Sequence, residues 1–356
     1  MWWRSVALFL SVSSGIFSTS PALAQSLAFS RNPRTFETVQ SSLFIKGMAH
    51  SCLAIKNIPD GMPCNPANVP LQKKPKLGIE LLLSNGYSSL NNVRKLIKGE
   101  VSDELVDTLF SEGKIIQIEA NAELDFQSNL LNARYTPLTV KGLSVVRNEA
   151  NPDVELSVME EKGFMFQTGI ETFDNLFLGV QARFVERKFI RQQFKLISLG
   201  TTAGRDALKA KEQTATYIEP GATWILAKKW QPRVSLLVAN LGSVSQEYDE
   251  LKVPVDVQFG FGISPPVKWG ELEISLEYKS LSYEEETDFE KLRFGGSYNF
   301  GAMNLVAGLD ANGISGGIFY ALDQIDAGVL FSTTKLTNED EDFFTQTVYV
   351  QLGWRI

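Results

Sequence analysis

Residues 255–263 read VDVQFGFGI, and every second side chain in this stretch is apolar. The apolar set is Val255, Val257, Phe259, Phe261 and Ile263, with Asp256, Gln258, Gly260 and Gly262 between them. Residues 271–279, ELEISLEYK, repeat the alternation. Because successive side chains of a strand point to opposite faces, both stretches predict strands with one apolar and one polar face.

Similar alternating segments follow one another from residue 114 to the end of the chain, separated by turn residues. Counted back from the C terminus, they give about fourteen strands, and twelve is an acceptable count. This repetition predicts an all-β protein, a closed antiparallel transmembrane β-barrel over residues 71–356. A soluble β-sandwich also has alternating strands, so it stays open as an alternative.

The last strand carries a regular apolar face. Its members are Val348, Val350, Leu352, Trp354 and Ile356. The pattern resembles the C-terminal assembly signal of outer-membrane proteins, although an aromatic final residue would fit that signal better. The resemblance implies the barrel-assembly machinery as a partner.

The beginning of the chain predicts export. Arg4 precedes an apolar run over residues 6–17, and Ala22-Leu23-Ala24 forms a small-x-small cleavage signal. Residues 1–24 are therefore predicted to be a signal peptide, with the mature chain beginning near Gln25 and passing through the periplasm. The run is shorter than the ~20 residues of a spanning helix, which argues against an N-terminal anchor.

Composition narrows the class of protein. Hydrophobic residues make up 44% of the chain and the net charge is −7, while the mean hydropathy is −0.05. A helical membrane protein is excluded, because barrel strands alone hide their hydrophobicity by alternation. Nucleic acid is not expected as a partner, since no cluster of Lys and Arg is present.

The two cysteines, Cys52 and Cys64, are predicted to form a disulfide in an oxidising compartment. Two free thiols or a pair of metal ligands remain as alternatives. His50 is the only histidine and no CxxC spacing occurs, so a metal site is not expected. An enzyme and a cofactor are not expected either, because no nucleophile with an activating base is recognisable apart from His50 beside Ser51.

The residues before the barrel lack the alternating pattern of its strands. Residues 25–75 show scattered Pro, Asn and Gly with little sustained periodicity. A first strand is expected over residues 76–83, followed by a helical insert over about residues 88–112. Two short amphipathic helices are predicted in the insert from the spacing of Leu90, Val93 and Leu96 and of Leu105, Leu109 and Phe110.

The stretch GMAHSCLA at residues 47–54, then Asp60-Gly61 and Asn65-Pro66-Ala67, resembles the N-terminal region of the FadL-like outer-membrane barrels. Residues 164–187 and 292–317, with the helical insert, resemble the conjugal-transfer TraF-like branch. His50 and Cys52 interrupt the small-residue stretch, and Pro59, Pro63 and Cys64 depart from the family pattern.

The resemblance implies that residues 25–70 fold into the barrel as a plug, which Asn65, Pro66 and Ala67 join to the wall. A disordered periplasmic tail is the alternative. Inward charges of the wall are expected to tune the lumen or to pair structurally: Glu271, Glu273, Glu277 and Arg293.

Three functions remain open at this point. The first is passive transport of small hydrophobic or amphipathic molecules. The second is a non-transporting structural or assembly protein of the envelope, of the TraF-like type, docking through acidic loops and the helical insert. The third is a hydrolase, which would need His50 to face the lumen beside a serine. Outer-membrane lipid and lipopolysaccharide are the expected partners beside a small hydrophobic ligand, and the oligomeric state is not predicted.

Overall fold

The structure is a computed structural model that describes residues 42–56, 58–59, 61–72, 75–110, 115–147, 152–248, 251, 253–279, 287–311, 313–322, 324–337 and 342–356. The predicted signal peptide and residues 25–41 of the predicted plug lie outside these residues.

Fourteen strands form the body of the protein. They are β1 Lys76–Ser84, β2 Ile115–Gln127, β3 Leu131–Arg147, β4 Asp153–Phe173, β5 Leu176–Lys195, β6 Lys211–Ile225, β7 Arg233–Ala239, β8 Asp256–Ile263, β9 Glu271–Tyr278, β10 Leu292–Phe300, β11 Met303–Asp310, β12 Gly313–Ala321, β13 Ile325–Thr337 and β14 Asp342–Arg355. A further short strand, Gly242–Val244, continues β7 beyond Asn240, whose φ is 60°.

The strands close into a single ring. Each pairs antiparallel with its neighbours in chain order, and β1 pairs with β14 from Gly78 opposite Arg355 onward. The pairing of β5 with β6 completes the circle. The predicted closed antiparallel barrel of about fourteen strands is therefore confirmed.

The ring is apolar outside and polar inside. On β14 the outward residues Val348, Val350, Leu352, Trp354 and Ile356 are 39–71% exposed, whereas Tyr349 and Gln351 between them are buried. On β2 the inward side chains are Glu119, Asn121, Glu123 and Asp125, and all are buried. A soluble β-sandwich buries its apolar face, so this inverted arrangement excludes it and fits a barrel in lipid.

Helices are short. They are α1 Leu43–Gly47, α2 Leu90–Ile97, α3 Asp103–Leu109, α4 Thr202–Asp206 and α5 Asp288–Lys291, with 3-10 turns at Pro66–Leu71, Tyr87–Ser89 and Leu196–Gly200. Within the described ranges no helix is both long enough and apolar enough to span a membrane.

The helical insert packs on the outside of the wall. Leu96 of α2 and Leu109 of α3 share one apolar cluster with Ile118, Val140 and Val158. Val158 is on the same side of β4 as the exposed Phe164, since both are even-numbered residues of one strand. The insert therefore covers the outward face of β2–β5 at their far ends, away from the chain's C terminus.

Candidate functional site

The inside of the barrel is crossed by the segment from residue 42 to residue 72, here called the luminal segment. Its helix α1 contacts β11, β12, β13 and β14, and its 3-10 turn Pro66–Leu71 contacts β4, β5 and β6. These two groups of strands lie on opposite sides of a fourteen-stranded ring. The luminal segment therefore spans the interior from wall to wall.

Local sequence shapes the luminal segment. The Ser42 side chain accepts a hydrogen bond from the Ile45 amide and caps α1. Ala49 and His50 then turn the chain with φ of 49° and 61°. Cys52 and Cys64 form a disulfide with 5.8 Å between their Cα atoms. The predicted disulfide is confirmed, and the free-thiol and metal-ligand alternatives for this pair are excluded.

Glycines of the wall make room for the luminal segment. A methyl group at Gly308 would overlap the Ala49 amide nitrogen, and one at Gly221 would overlap the Asn65 side-chain oxygen. Gly179, Gly260, Gly262 and Gly295 also face the backbone of the luminal segment. Only glycine, which has no side chain, lets the luminal segment approach the wall this closely. The alternation of residues 255–263 predicts Gly260 and Gly262 on the polar face of their strand, but it does not indicate their contact with the luminal segment.

The predicted plug motif lies against the wall formed by β5, β6 and β7. The Asn65 side-chain amide donates to the carbonyl oxygens of Ala222 at 3.0 Å and Leu236 at 3.2 Å. Its oxygen accepts from the Ala67 amide at 3.0 Å, and Pro66 begins the 3-10 turn. One buried side chain thus fixes both the turn and its position on the wall.

Charged side chains of the wall hold the luminal segment from other sides. Arg233, fully buried, donates to the Ala54 carbonyl at 2.8 Å and pairs with Glu273 at 3.2 Å. The Lys279 ammonium donates to the His50 carbonyl at 2.7 Å. The Leu53 amide donates to the Glu277 carboxylate.

The four predicted lumen residues do not share one environment. Glu273 and Glu277 are buried on the inner face of β9 and make the contacts just described. Arg293 is buried opposite Glu277 on β10. Glu271, at the first residue of β9, is exposed to solvent, because the wall and the luminal segment no longer cover it there.

A cavity of about 150 Å³ remains beside the luminal segment. Its floor includes Cys52, Leu53 and Cys64, and its walls include the apolar side chains Met159, Met165, Val185, Leu237 and Val253. Five basic and four acidic side chains also line it: Arg134, Lys141, Arg183, Lys279, Arg293, Glu123, Glu161, Glu219 and Asp256. The cavity is therefore amphipathic, with apolar and charged walls.

The wall of this cavity is irregular between β3 and β4. The pairing slips between Thr136 and Thr139, so β3 carries one extra residue there. Pro137 lies within the slip and has no amide hydrogen to give to the ladder. Thr136 and Phe164 line the cavity, and Phe164 is also 50% exposed on the outer face. At this bulge the cavity is lined by a side chain that also belongs to the apolar outer surface.

His50 and Ser51 do not form a catalytic pair. Among the described residues, neither His50 Nδ1 nor Ser51 Oγ has a hydrogen-bond partner, although both atoms are buried. Burial, followed by the charges of Lys46, Arg293, Lys279 and Lys141, holds the pKa of His50 well below its usual range. The neutral imidazole is therefore the stable form in place.

The depressed pKa predicts an acid sensitivity of the folded state. The unfolded chain takes up a proton at His50 near pH 6.5 and the folded chain does so only at a lower pH, so stability is lost as pH falls below 6.5. A single histidine limits this loss to about 1.4 kcal/mol per pH unit. Thermal unfolding of His50→Gln should lack this part of the pH dependence. An equal loss in wild type and His50→Gln would contradict the assignment.

A fourteen-stranded barrel whose interior is crossed by the luminal segment is the class that the geometry defines. No protein-family model matches the sequence, and no curated protein matches it. Among solved structures, the CymD monoaromatic hydrocarbon channel is 11% identical with a TM-score of 0.54, over 90% of this chain and 98% of that one.

Two further structures match over similar lengths. The toluene transporter TbuX of Ralstonia pickettii is 10% identical with a TM-score of 0.49, over 90% of this chain and 99% of that one. A FadL homologue of Pseudomonas aeruginosa is 10% identical with a TM-score of 0.46, over 88% and 97%. The likeness to CymD supports the predicted FadL-like barrel fold. The TraF-like branch stays a prediction.

Proposed function

We propose that this protein is an outer-membrane channel that passes small hydrophobic or amphipathic molecules passively, with the luminal segment as its plug. The observation that carries the proposal is the amphipathic cavity beside the luminal segment, which reaches the wall at the β3 bulge. A molecule entering this cavity contacts Met and Leu side chains of its walls and Phe164, which is also exposed on the outer apolar surface.

The outer surface supports a membrane location for this activity. The apolar outward residues extend around the ring, and a contiguous exposed face of this size requires lipid. The predicted signal peptide and C-terminal assembly signal support the outer membrane. CymD, which has a similar fold, is described as a hydrocarbon channel.

The plug has a physical reason. A ring of fourteen strands encloses more space than its own inward side chains fill. The luminal segment crosses that space and contacts the wall on opposite sides, with a cavity of about 150 Å³ beside it. The barrel is therefore proposed to be closed to ions while it passes a lipophile sideways through the wall.

Deleting Pro137 tests the side passage. The deletion removes the extra residue of β3, restores continuous pairing with β4 and keeps the alternation of inward and outward side chains on both sides. Uptake of a lipophilic fluorescent dye into proteoliposomes is expected to fall to the level of protein-free vesicles.

The matched control is Pro137→Ala, which keeps the residue count and therefore the bulge. It is expected to retain most of the uptake. Heat-modifiable migration on gels would establish that both variants form barrels. Undiminished uptake by the folded deletion variant would exclude the bulge as the passage.

A further inference from the structure

A row of charged side chains runs across the outward face of β4, β5 and β6. On β4 and β5 it begins two residues beyond the exposed Phe164 and Phe184, with Lys162 opposite Glu186. Lys188 of β5 and Glu212 of β6 form the next step. We call Glu160, Lys162, Glu186, Lys188 and Glu212 the rim ladder.

The rim ladder alternates in sign and is paired across strands. Lys162 Nζ lies 2.7 Å from Glu186, and Lys188 Nζ lies 2.5 Å from Glu212. Glu160 is joined at 3.3 Å to Arg94 of helix α2. The four side chains of the first two pairs are 51–69% exposed. Exposed pairs of this kind contribute less than about 1 kcal/mol to stability, so stability does not account for the row.

Position in the barrel gives the rim ladder a specific environment. It borders the apolar outer face directly, because Phe164 and Phe184 are the next outward residues on β4 and β5, and in a membrane such a border is where hydrocarbon gives way to headgroups. It crosses β4 and β5 near the middle of these strands, between their lipid-facing part and the part that the helical insert covers. The C-terminal Ile356 is joined to Leu77 at the other end of the barrel. With the C terminus on the periplasmic side, the rim ladder faces the outer leaflet.

A groove of about 260 Å³ accompanies the rim ladder, and its lining includes all five of its side chains. A phosphorylated glycolipid headgroup, crosslinked by divalent cations, presents phosphate oxygens and bound cations in alternation. Ammonium groups bind phosphate as point charges, and carboxylates are ligands for such cations. Among the described residues no group of three or more His, Cys, Asp or Glu side chains could hold a metal ion by itself. The cation would therefore be shared with the lipid.

We propose that the rim ladder binds the phosphorylated headgroup of lipid A, with Lys162 and Lys188 on its phosphates and the carboxylates on its bridging cations. This inference rests on the proposed outer-membrane location. It does not depend on transport, because the rim ladder shares no side chain with the floor of the cavity or with the β3 bulge.

Native mass spectrometry of the full mature protein in detergent tests the proposal, with lipid A, dephosphorylated lipid A and phosphatidylglycerol as probes. The test variant is Lys162→Gln/Lys188→Gln. The matched control is Lys228→Gln/Lys229→Gln, which removes two exposed lysines from the turn at the opposite end of the barrel. The affinity for lipid A is expected to fall roughly thirtyfold in the test variant, the scale of two lost lysine contacts at an anionic surface, and to be unchanged in the control.

Chelation of divalent cations and dephosphorylation of lipid A should each weaken binding to the wild type. Equal lipid A binding by both variants would overturn the proposal. Phosphatidylglycerol bound as tightly as lipid A would also overturn it, because the rim ladder would then accept any anionic lipid.

Dye uptake by Lys162→Gln/Lys188→Gln in phospholipid vesicles should match the wild type. Failure of the wild type to take up dye, with lipid A binding retained, would count against transport alone.

Discussion

Removing residues 25–70 is expected to convert a closed barrel into an open pore. The deletion takes away α1, the disulfide and Asn65, and no wall side chain is long enough to fill the space they leave. Planar-bilayer recordings should change from a flat baseline for the mature protein to sustained single-channel steps for the variant. This is the largest functional effect expected of any change considered.

The control for this experiment deletes only residues 25–41. This shorter deletion keeps every contact described between the luminal segment and the wall, so it should leave the barrel closed. If the longer deletion folds, as judged by heat-modifiable migration, and still gives no current, the luminal segment is not the plug.

Replacing Arg233 by Met should give the largest loss of stability. The fully buried guanidinium pairs with Glu273, donates to Ser264 and holds the Ala54 carbonyl. Its removal leaves a buried carboxylate without its partner, which costs about 3–5 kcal/mol. Urea unfolding of the purified barrel, followed by tryptophan fluorescence, measures the change.

Two companion variants separate the buried charge from general damage. Arg233→Met/Glu273→Leu removes both charges and should recover much of the lost stability. Lys188→Met breaks an exposed pair and should cost less than about 1 kcal/mol. A double variant as unstable as Arg233→Met would show that the contact with Ala54, rather than the ion pair, carries the effect.

The strands of the wall could be predicted from the sequence because the alternation of apolar and polar side chains is a property of each short segment by itself. Alternation in residues 255–263 and 271–279 places apolar side chains toward lipid, and β8 and β9 follow this pattern. The helices at Leu90–Ile97 and Asp103–Leu109 were also predictable, since their apolar spacing and the Ser102 cap are encoded within a few residues.

Long-range relations were not predictable in the same way. The helical insert could be expected, but its packing on the outward face of β2–β5 depends on how far those strands extend beyond the lipid-facing band. The bulge at Pro137 is a pairing relation between β3 and β4, and a single proline in a strand is its only local signal. Glu271 is exposed because the luminal segment does not extend over the first residue of β9, and this cannot be read from the sequence of the strand alone.

The luminal glycines show a second kind of limit. Gly221 and Gly308 occupy inward positions of β6 and β11, and in the sequence they are indistinguishable from small residues on a polar face. Their meaning depends on the Ala49 backbone and the Asn65 side chain, which lie against them. A run of inward glycines on several strands is the signal that could have predicted a segment packed against the wall.

The most direct test of the central claim measures two quantities on the same proteoliposomes of the mature protein. These are the ion conductance and the uptake of a lipophilic dye. The proposed plugged channel predicts negligible conductance together with dye uptake that saturates and exceeds that of protein-free vesicles. Uptake no faster than in protein-free vesicles would contradict transport and leave a closed barrel without a channel function.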